Sequence, residues 1–575
     1  MKRLLRFAIS CAIAFAVLLS GGACARAGDP IPRDLLIEDV RQLASIIEDS
    51  HPEPYLRGGG RVPFNRLLQQ TLASIPDEGM TVPEFFRVLS PLVAHVRDAH
   101  TALDGQLSYD QHSPGGVPLY FAQVEGGLWV RGVTDEAHRD LIGAALVSVE
   151  GVTLRELVER VKHLRGADND YTALSSLGTT GYLWSAGRLA ELVPEWKDRS
   201  RIRAHLEMPS GEVVEREFDV PVEMDFPLKG PETSVDLPST DRCDFVYGFL
   251  DDDEEVAILR IDGMTGFRED FELEGTSTSM EGLCYAWERC HGTPCPDDAS
   301  EAIAGIPSAT ETFRSLVKDM RTRGTDALIV DLRRNGGGNS LMQDMLLYFL
   351  FGKDAYFWVK GLTATDVVKL SDLYFETRTH ASFEQADAAV GFPLEESDYD
   401  FQFDCTDQPD KLAALDVRGL MESYLALMPT FFEEYETGTY AGHYCPEKIV
   451  VLCSDRTFSG GFTLMWCLHK FGATIVGTPS AQAGNGFMDG LAFTLTNSGL
   501  QGQVSSKQVS YFPGDAERGE VLRPDIELTY DYLSSKDFDR NVTVLLALEK
   551  LPGIKPVDPL RHHNSHPEPR STPTR

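Results

Sequence analysis

Positive charge is scarce in this sequence. Its 53 Lys and Arg residues stand against 88 Asp and Glu residues, which gives a formal net charge of −35. Nucleic-acid binding depends on clustered Lys and Arg that neutralise backbone phosphates, so this balance excludes a nucleic-acid-binding protein. After residue 27 the chain also lacks any apolar run long enough to span a bilayer. We therefore expect no nucleic-acid partner and no membrane span beyond that point.

The bulk composition is that of an ordinary globular protein. Hydrophobic residues make up 42% and charged residues 25% of the 575 positions, which is neither a disordered nor a fibrous composition. At roughly 100–200 residues per domain, the length predicts about three to five domains, or fewer if one is a large α/β unit. A single small binding module is excluded.

Residues 1–27 have the order of a secretory signal peptide. Lys2, Arg3 and Arg6 precede an apolar run over residues 7–19, and small residues follow it. We therefore predict export to the periplasm or the extracellular space. Cys24 leaves open a lipid anchor as an alternative to simple cleavage.

The cysteine pattern suits an exported chain. Eight cysteines follow residue 27: Cys243, Cys284, Cys290, Cys295, Cys405, Cys445, Cys453 and Cys467. The three between residues 284 and 295, and Cys405 with Cys445, are candidates for disulfides. Cys453 and Cys467 lie in apolar runs and are predicted to be buried thiols. The spacing matches no common zinc pattern, so no metal and no cofactor is predicted.

Hydrophobic periodicity divides the chain into regions. Helical spacing in the first 100 residues predicts a helical domain, and alternation over 117–133 followed by a strand, turn, strand and helix predicts a β-rich module. From residue 256 onward strands and helices alternate, which indicates βαβ units and a largely parallel sheet. The predicted regions are a signal peptide at 1–27, an N-terminal helical domain at 28–112, a β-rich module at 113–165, a connecting region at 166–240, an α/β core at 241–550 and a disordered tail at 551–575.

A glycine loop at the end of a buried strand is the first segment that indicates chemistry. The apolar strand over 327–332 runs into Gly336, Gly337 and Gly338 and then into a helix. Backbone N–H groups at such a junction can converge on an anion, as in an oxyanion hole. A phosphate cradle is the rival interpretation, but no Gly-Lys-Ser/Thr ending is present. A tight turn that simply needs glycine is the structural alternative.

The second segment places a serine at the start of a helix. A strand over 448–453 leads to a short polar turn, and Ser459 follows, ahead of Gly460 and Gly461. At this position the helix dipole favours an attacking alkoxide, and the next N–H can hold an oxyanion. The same position also suits an ordinary N-cap serine.

Taken together, these segments resemble the C-terminal processing, or tail-specific, peptidases of family S41. The matching motifs are Asp-Leu-Arg-x-Asn-Gly-Gly-Gly at 331–338, the Ser-Gly-Gly at 459–461, Gly-Thr-Pro at 477–479, Arg-Pro-Asp-Ile at 523–526, Asp-x-His-Thr at 98–101 and the module at 143–152. The resemblance implies a crotonase-like α/β peptidase core, a helical cap and a degenerate PDZ-like module. It also implies Ser459 as nucleophile, with oxyanion donors at Gly336, Gly337 and Gly460.

One departure from the family pattern decides the expected mechanism. Many relatives have a catalytic lysine in a Gly-Lys-Gly turn, where this chain has Asn485. An amide cannot act as a general base, so another residue must activate Ser459. The subgroup that resembles tricorn protease and the retinoid-binding relatives has a histidine in its Asp-x-His-Thr string, which is His100 here. Imidazole suits the role of base because its unperturbed pKa is about 6.5.

An acidic residue would complete the set. Glu517 is nearest to the position that this subgroup uses, and Asp515 and Glu520 compete with it. A helix-capping role is the alternative for His100. We thus predict an exported serine endopeptidase that acts on peptides or proteins. The alternatives are an inactive peptide- or ligand-binding protein and, less favoured, an acyl-CoA enzyme.

Overall fold

The computed structural model describes residues 29–104, 116–178, 181–196, 199–219, 230–250, 255–275, 279–361, 365–379, 399–402, 425–437 and 443–557. The predicted signal peptide, Cys24 and Cys405 lie outside these residues. Within them, none of the helices combines the length and apolar character needed to cross a membrane.

The elements of the first 219 residues are as follows. The helices are α1 (Arg33–Ser50), α2 (Arg61–Ser74), α3 (Val82–Ala94), α4 (Leu154–Leu164), α5 (Asp170–Gly178) and α6 (Ala186–Leu192). The strands are β1 (Ala102–Leu103), β2 (Leu119–Val124), β3 (Gly127–Val133), β4 (Ala145–Val149), β5 (Val152–Thr153), β6 (Arg201–Glu207) and β7 (Val213–Asp219).

The remaining elements form the larger part of the molecule. The helices are α7 (Arg268–Glu274), α8 (Met280–His291), α9 (Ala299–Gly305), α10 (Ala309–Arg323), α11 (Leu341–Gly361), α12 (Asp372–Tyr374), α13 (Pro429–Thr437), α14 (Gly460–Lys470), α15 (Ala516–Glu520), α16 (Tyr530–Ser535) and α17 (Val542–Lys550). The strands are β8 (Phe245–Phe249), β9 (Val256–Ile261), β10 (Ala327–Asp331), β11 (Thr365–Lys369), β12 (Tyr399–Gln402), β13 (Lys448–Cys453), β14 (Thr474–Gly477), β15 (Asn485–Thr494), β16 (Gln501–Ser510) and β17 (Ile526–Glu527).

A six-stranded sheet in the order β17-β14-β13-β10-β9-β8 forms the centre of the α/β region. Its pairs are parallel except for β8 with β9. Both faces are buried, since Leu328 and Val330 of β10 join one apolar cluster and Ile329 joins another. Burial on both faces explains the unbroken apolar runs of these strands. The predicted parallel sheet is thereby confirmed.

A second sheet connects the N-terminal helices to this region. Its order is β1-β16-β11-β12, with β15 also paired to β16. Strand β1 pairs antiparallel with β16, with Ala102 opposite Gln503. Apolar residues of α1 and α3, such as Leu43 and Phe85, share one cluster with Leu491 and Val504 of the long β15–β16 hairpin. The helical domain is thus fixed on the hairpin, and the segment after α3 enters the sheet.

The β-rich module has its own sheet, β2-β3-β4-β6-β7, with β5 paired to β4. Helix α4 begins at the N-cap Thr153, which forms a capping box with Glu156. Its buried positions Leu157 and Val161 pack into an apolar cluster with strand residues such as Val130. The predicted strand, turn, strand and helix are present over residues 145–164.

The cysteine predictions have different outcomes. Cys284 and Cys295 form a disulfide, and Cys290 is a free thiol between them. Cys453 and Cys467 are buried and form no disulfide with a described residue, as predicted. A pairing of Cys405 stays a prediction, because that residue lies outside the described part of the chain.

The C-terminal segment packs against the core beyond residue 551. Leu551 and Ile554 are buried in the cluster beneath the central sheet, and the Val557 N–H donates to the Glu447 carbonyl at 2.9 Å. Ordered packing therefore extends to residue 557, past the predicted start of a disordered tail. Residues 558–575 lie outside the description.

Candidate active site

Ser459 occupies the N-cap of α14 in an unusual backbone conformation. Its φ is 51° and its ψ is −122°. A positive φ is uncommon for a residue with a side chain, and such strain persists only where surrounding contacts hold it. The serine follows β13 and the turn at 454–458, as the sequence predicts.

Two buried side chains hold this turn. The Phe458 N–H donates to the main-chain carbonyl of Asn335 at 2.9 Å. The side-chain amide of Asn335 donates to the Ile261 carbonyl at 3.0 Å, which fixes this residue in place. The Ser459 N–H donates to the side-chain oxygen of Gln482, which is almost wholly buried. The Ser459 N–H is therefore already paired with an acceptor inside the protein.

The glycine loop lies directly against this serine. Gly337 has a φ of +106°, and a Cβ atom added to it would lie 2.6 Å from the Cβ of Ser459. The same Cβ would be 3.0 Å from the Gly460 nitrogen. Only glycine permits both this conformation and this approach. The two motifs that the sequence singles out are thus in contact.

The backbone donors in this region differ in their partners. The Gly337 N–H donates to the side-chain oxygen of Asn335 at 2.9 Å, so it already has an acceptor. Gly336 is exposed and faces open space. Gly460 is the first residue of α14, where helix geometry gives an N–H no intrahelical acceptor. Of the three predicted oxyanion donors, Gly336 is exposed, whereas Gly460 is buried at the start of α14.

The segment after α3 places His100. The His100 N–H donates to Asp98 Oδ1 at 2.9 Å, and the His100 carbonyl accepts from the Gln503 amide at 2.8 Å. Since Ala102 then pairs with Gln503, the histidine is fixed on the edge of the second sheet. The backbone on both sides of His100 is therefore held by hydrogen bonds.

The imidazole of His100 stacks on Phe458. The ring centroids are 4.5 Å apart with an interplanar angle of 26°. Phe458 directly precedes Ser459, so the fold brings the histidine to the residue next to the serine. The side chain is buried, with a relative exposure of 9%. Among the described residues, neither ring nitrogen has a hydrogen-bond partner.

Asp98 is the centre of a buried polar cluster beside His100. Its carboxylate accepts from the Thr101 hydroxyl at 2.5 Å and the Ser505 hydroxyl at 2.6 Å. His51 Nε2 lies 3.4 Å from Oδ2, and His100 Nδ1 lies 4.0 Å from Oδ1. Burial alone would raise the pKa of Asp98, but the contacts with His51, His100 and Ser505 outweigh it and hold that pKa well below its usual range.

A second buried carboxylate, Asp168, contacts the loop that contains Asp98 and His100. It accepts from the Ala99 N–H at 3.0 Å, the Ala483 N–H at 3.1 Å and the Arg57 guanidinium at 3.2 Å. Burial raises the pKa of Asp168, and the negative charge of Asp98 adds to the rise, while Arg57 opposes it. Asp168 thus ties the His100 loop to the segment after β14.

Asn485, at the position where many S41 relatives have a lysine, has a structural role in the fold. Its amide donates to the Phe512 carbonyl at 3.0 Å, and its side-chain oxygen accepts the Phe512 N–H at 2.9 Å. Its own carbonyl accepts from Arg57. Both ends of the amide are therefore used in fixing the turn between β16 and α15.

The predicted acidic partner is at the surface. Glu517 is exposed on the short helix α15, and Glu520 is exposed at its end. Asp515 caps that helix and pairs with Arg518 at 2.7 Å. In the part of the chain that the structure describes, no contact joins any of these three carboxylates to His100.

Sequence reasoning missed three residues of this site. Asp98 is inside the Asp-x-His-Thr string, and its spacing of two from His100 is a recoverable signal for an Asp turn. His51, in the string His-Pro-Glu-Pro, indicated only the end of α1. Gln482 carries no signal, because its contact with Ser459 depends on the path of the chain after β14.

The fold has counterparts among solved structures. An alanine mutant of CPAF has a TM-score of 0.54 at 14% identity, over 90% of this chain and 98% of that chain. Mature CPAF has a TM-score of 0.48 at 15% identity, over 91% and 99% of the two chains. A photosystem II D1 C-terminal processing protease has a TM-score of 0.36 at 13% identity, over 89% and 97%. The first likeness shows a shared fold.

One family model matches part of the sequence. Residues 299–528 match the model of peptidase family S41. The match includes the glycine loop, Ser459 and Glu517, whereas His100 and the N-terminal helices lie outside it. Among curated proteins, no sequence matches the chain. The mixed α/β architecture with several sheets is consistent with an S41 peptidase fold.

Proposed function

We propose that the chain is an exported serine peptidase that cleaves peptide bonds through an acyl-enzyme on Ser459, with His100 as general base. The observation that supports this most directly is the contact of three separate segments. The strained serine touches Gly337, and the residue before it stacks on the imidazole of His100. A nucleophile, a base and backbone donors are then within one small region.

The proposed reaction has two halves. His100 accepts the Ser459 hydroxyl proton as the oxygen attacks the peptide carbonyl, and it then gives that proton to the leaving amine as the C–N bond breaks. In the second half, water attacks the ester carbonyl while His100 accepts a proton from it. His100 then returns that proton to the Ser459 oxygen as the ester bond breaks and the acid is released. The Gly460 N–H, with the open side of the glycine loop at Gly336, would hold the oxyanion. No step requires a metal or a cofactor.

The family resemblance implies Glu517 as the acidic partner of His100, a role for which the buried Asp98 is the rival. Its carboxylate is exposed and has no described contact with His100. The variant Glu517→Gln decides this assignment. A loss of kcat of about 100-fold or more would support it, because general acid–base catalysis contributes roughly that much.

We also propose finer assignments for the fold. The central six-stranded sheet with its helices, within 241–550, would be the crotonase-like peptidase core. The PDZ-like module would be β2–β5 with α4, within 113–165; β6 and β7, from the predicted connecting region, extend its sheet. Residues 33–94 would form a cap over the cleft. Export to the periplasm or the extracellular space, through the predicted leader, belongs to the same proposal.

The decisive experiment compares three mature proteins on a fluorogenic peptide library: wild type, Ser459→Ala and His100→Ala. We expect both variants to lose activity by orders of magnitude at unchanged circular dichroism. A fluorophosphonate probe should label wild type but not Ser459→Ala. A silent, unlabelled wild type would instead favour the inactive peptide- or ligand-binding protein.

A further inference from the structure

We propose that Asp98 is the positioning residue of His100, and that His51 in turn positions Asp98. The inference rests on the proposed function, because it assigns roles to the groups that surround its base. Its basis is geometric: one carboxylate with a fully buried side chain lies between two imidazoles, 3.4 Å from one and 4.0 Å from the other.

The ring of His51 is held in one orientation. The Glu53 N–H donates to its Nδ1 at 3.1 Å, and the ring packs on Phe487 with centroids 4.3 Å apart. A ring nitrogen that accepts a hydrogen bond has no proton, so the proton of a neutral His51 must be on Nε2. That nitrogen lies 3.4 Å from Asp98 Oδ2 and has no other partner among the described residues, so its N–H is available to the carboxylate.

The negative charge of Asp98 can be paired with positive charge on His51 or His100. Its other contacts are the hydroxyls of Thr101 and Ser505 and a backbone N–H, all of which are neutral. Among the described residues, the groups in contact with Asp98 that can carry positive charge are His51 and His100. A buried carboxylate is costly unless it is paired. Any positive charge that forms on His100 is therefore directly stabilised.

The ring nitrogens of His100 are available for a hydrogen bond to Asp98. Both of its ring nitrogens are buried, and within the described chain neither has a hydrogen-bond partner. A protonated imidazole has two donors and needs two acceptors. Asp98 is within reach of Nδ1, which leaves Nε2 for Ser459. Catalytic hydrogen bonds are often long without substrate and shorten in the complex, so the 4.0 Å separation is compatible with this role.

The proton balance of the relay is simple. The Ser459 O–H bond breaks, the oxygen bonds to the peptide carbonyl carbon, and the proton goes to His100 Nε2. The resulting imidazolium lies beside the Asp98 carboxylate, which stays ionised and accepts the Nδ1–H. His51 keeps its own proton throughout. Asp98 therefore acts by orienting His100 and by stabilising its charge.

A matched pair of variants at His51 separates this role from simple packing. His51→Gln keeps an N–H donor but loses the ring, whereas His51→Phe keeps the ring and its stacking on Phe487 but loses the donor. If His51 serves only as a packing residue, the Phe variant should be at least as active as the Gln variant. Positioning of Asp98 by a donor predicts the opposite order.

The test measures kcat and KM on a cleavable peptide for both His51 variants and for Asp98→Asn. We expect Asp98→Asn to lower kcat by about 100-fold or more with KM within about threefold. His51→Phe should lower kcat by roughly 10-fold, because a hydrogen bond to a charged group is worth about 1.5–3 kcal/mol. His51→Gln should stay within about threefold of wild type. His95→Gln, at another histidine of the helical domain, is the control for a general effect of histidine loss.

A spectroscopic readout keeps the inference independent of peptidase activity. When wild type is titrated to low pH, an imidazole N–H proton of His100 should appear far downfield of the amide region, because it is hydrogen-bonded to a carboxylate. The resonance should be absent in His100→Ala and shift upfield in Asp98→Asn. If wild type cleaves no peptide yet shows this signal, the proposed function fails and the relay stands.

The inference is overturned by either of two results from folded variants. One is an Asp98→Asn protein with wild-type kcat. The other is a His51→Phe protein that is as active as His51→Gln. If Asp98→Asn does not fold, the His51 pair decides the matter by itself, since Asp98 is intact in both proteins.

Discussion

A Cβ atom on Gly337 would lie 2.6 Å from the Cβ of Ser459, closer than real Cβ atoms approach. The two residues come from motifs more than a hundred positions apart, at the ends of the neighbouring strands β10 and β13. Because the carboxyl ends of parallel strands meet at one edge of a sheet, both motifs reach the same place. The absence of a side chain at 337 is thus what permits this close approach to Ser459.

The first prediction concerns this contact. Gly337→Ala should lower kcat/KM by about 100-fold or more, since a displacement of about 1 Å at a catalytic group can cost that much. It should also lower the free energy of unfolding by at least 1 kcal/mol, because alanine is strained at a φ of +106°. Kinetics on a cleavable peptide and denaturant unfolding measure the two effects.

Gly499 provides the matched control for backbone strain. Its φ is +70°, and a Cβ there would meet nothing within 4 Å. Gly499→Ala should therefore lose a similar amount of stability to strain and keep its activity. Equal activity losses in the two variants would show that the contact with Ser459 is not the cause.

The second prediction concerns Asn485. Asn485→Ala removes two hydrogen bonds to the backbone of Phe512. Each net hydrogen bond contributes about 0.5–1.5 kcal/mol, so the variant should unfold at a lower denaturant concentration. Its kcat should remain within about threefold of wild type, because the amide is not the proton acceptor. A 100-fold loss of kcat in a folded Asn485→Ala protein would contradict this.

The third prediction uses the buried Asp270. Its carboxylate accepts from the Asn339 amide at 2.7 Å and from the Gly266 N–H at 3.2 Å, beside the glycine loop. Burial raises its pKa to about 6, and the charge of Glu269 adds to this, while the two hydrogen bonds oppose it. The folded state then binds the proton more tightly than the unfolded chain does. Stability from this group is lost as the pH rises from about 4 to about 6.

Denaturant unfolding at pH 4 to 7 tests the sign. Relative to Asp270→Asn, the free energy of unfolding of wild type should fall by about 2–3 kcal/mol across that range. Each unit by which the Asp270 pKa is raised corresponds to about 1.4 kcal/mol. The control is Asp77→Asn, at an exposed aspartate. The difference in unfolding free energy between wild type and this variant should change far less with pH. A wild-type protein that gains stability relative to Asp270→Asn across the range would refute the assignment.

The fourth prediction concerns the cysteines of the α8–α9 segment. Mass mapping of the unreduced protein should find Cys284 linked to Cys295, with Cys290 open to alkylation after denaturation. The double variant Cys284→Ala/Cys295→Ala should lose about 2–3 kcal/mol of stability. Activity should be retained, since this segment packs in a small cluster of its own with Phe271 and Ile306. A link from Cys290 to either neighbour would contradict the pairing.

Much of the fold was predictable because local patterns and tertiary packing agree. The strand over 448–453 and the helix that follows Ser459 could be placed from apolar runs and glycine positions. The helix over 154–164 was equally clear, since Thr153 and Glu156 give a capping box ahead of an amphipathic stretch. In these segments the residues that set the local structure are also those that are buried.

The sequence by itself determined the class of chemistry, the strand and helix order of the α/β region and the identity of the serine and glycine motifs. Only the tertiary structure decided that His100 stacks beside Ser459 and that Asn485 serves the turn at Phe512. It alone revealed the contact of Asp98 with His51 and the surface position of Glu517. The physical reason is that these relations join segments far apart in the chain, through the pairing of β1 with β16 and of β10 with β13, and no local periodicity encodes such distances.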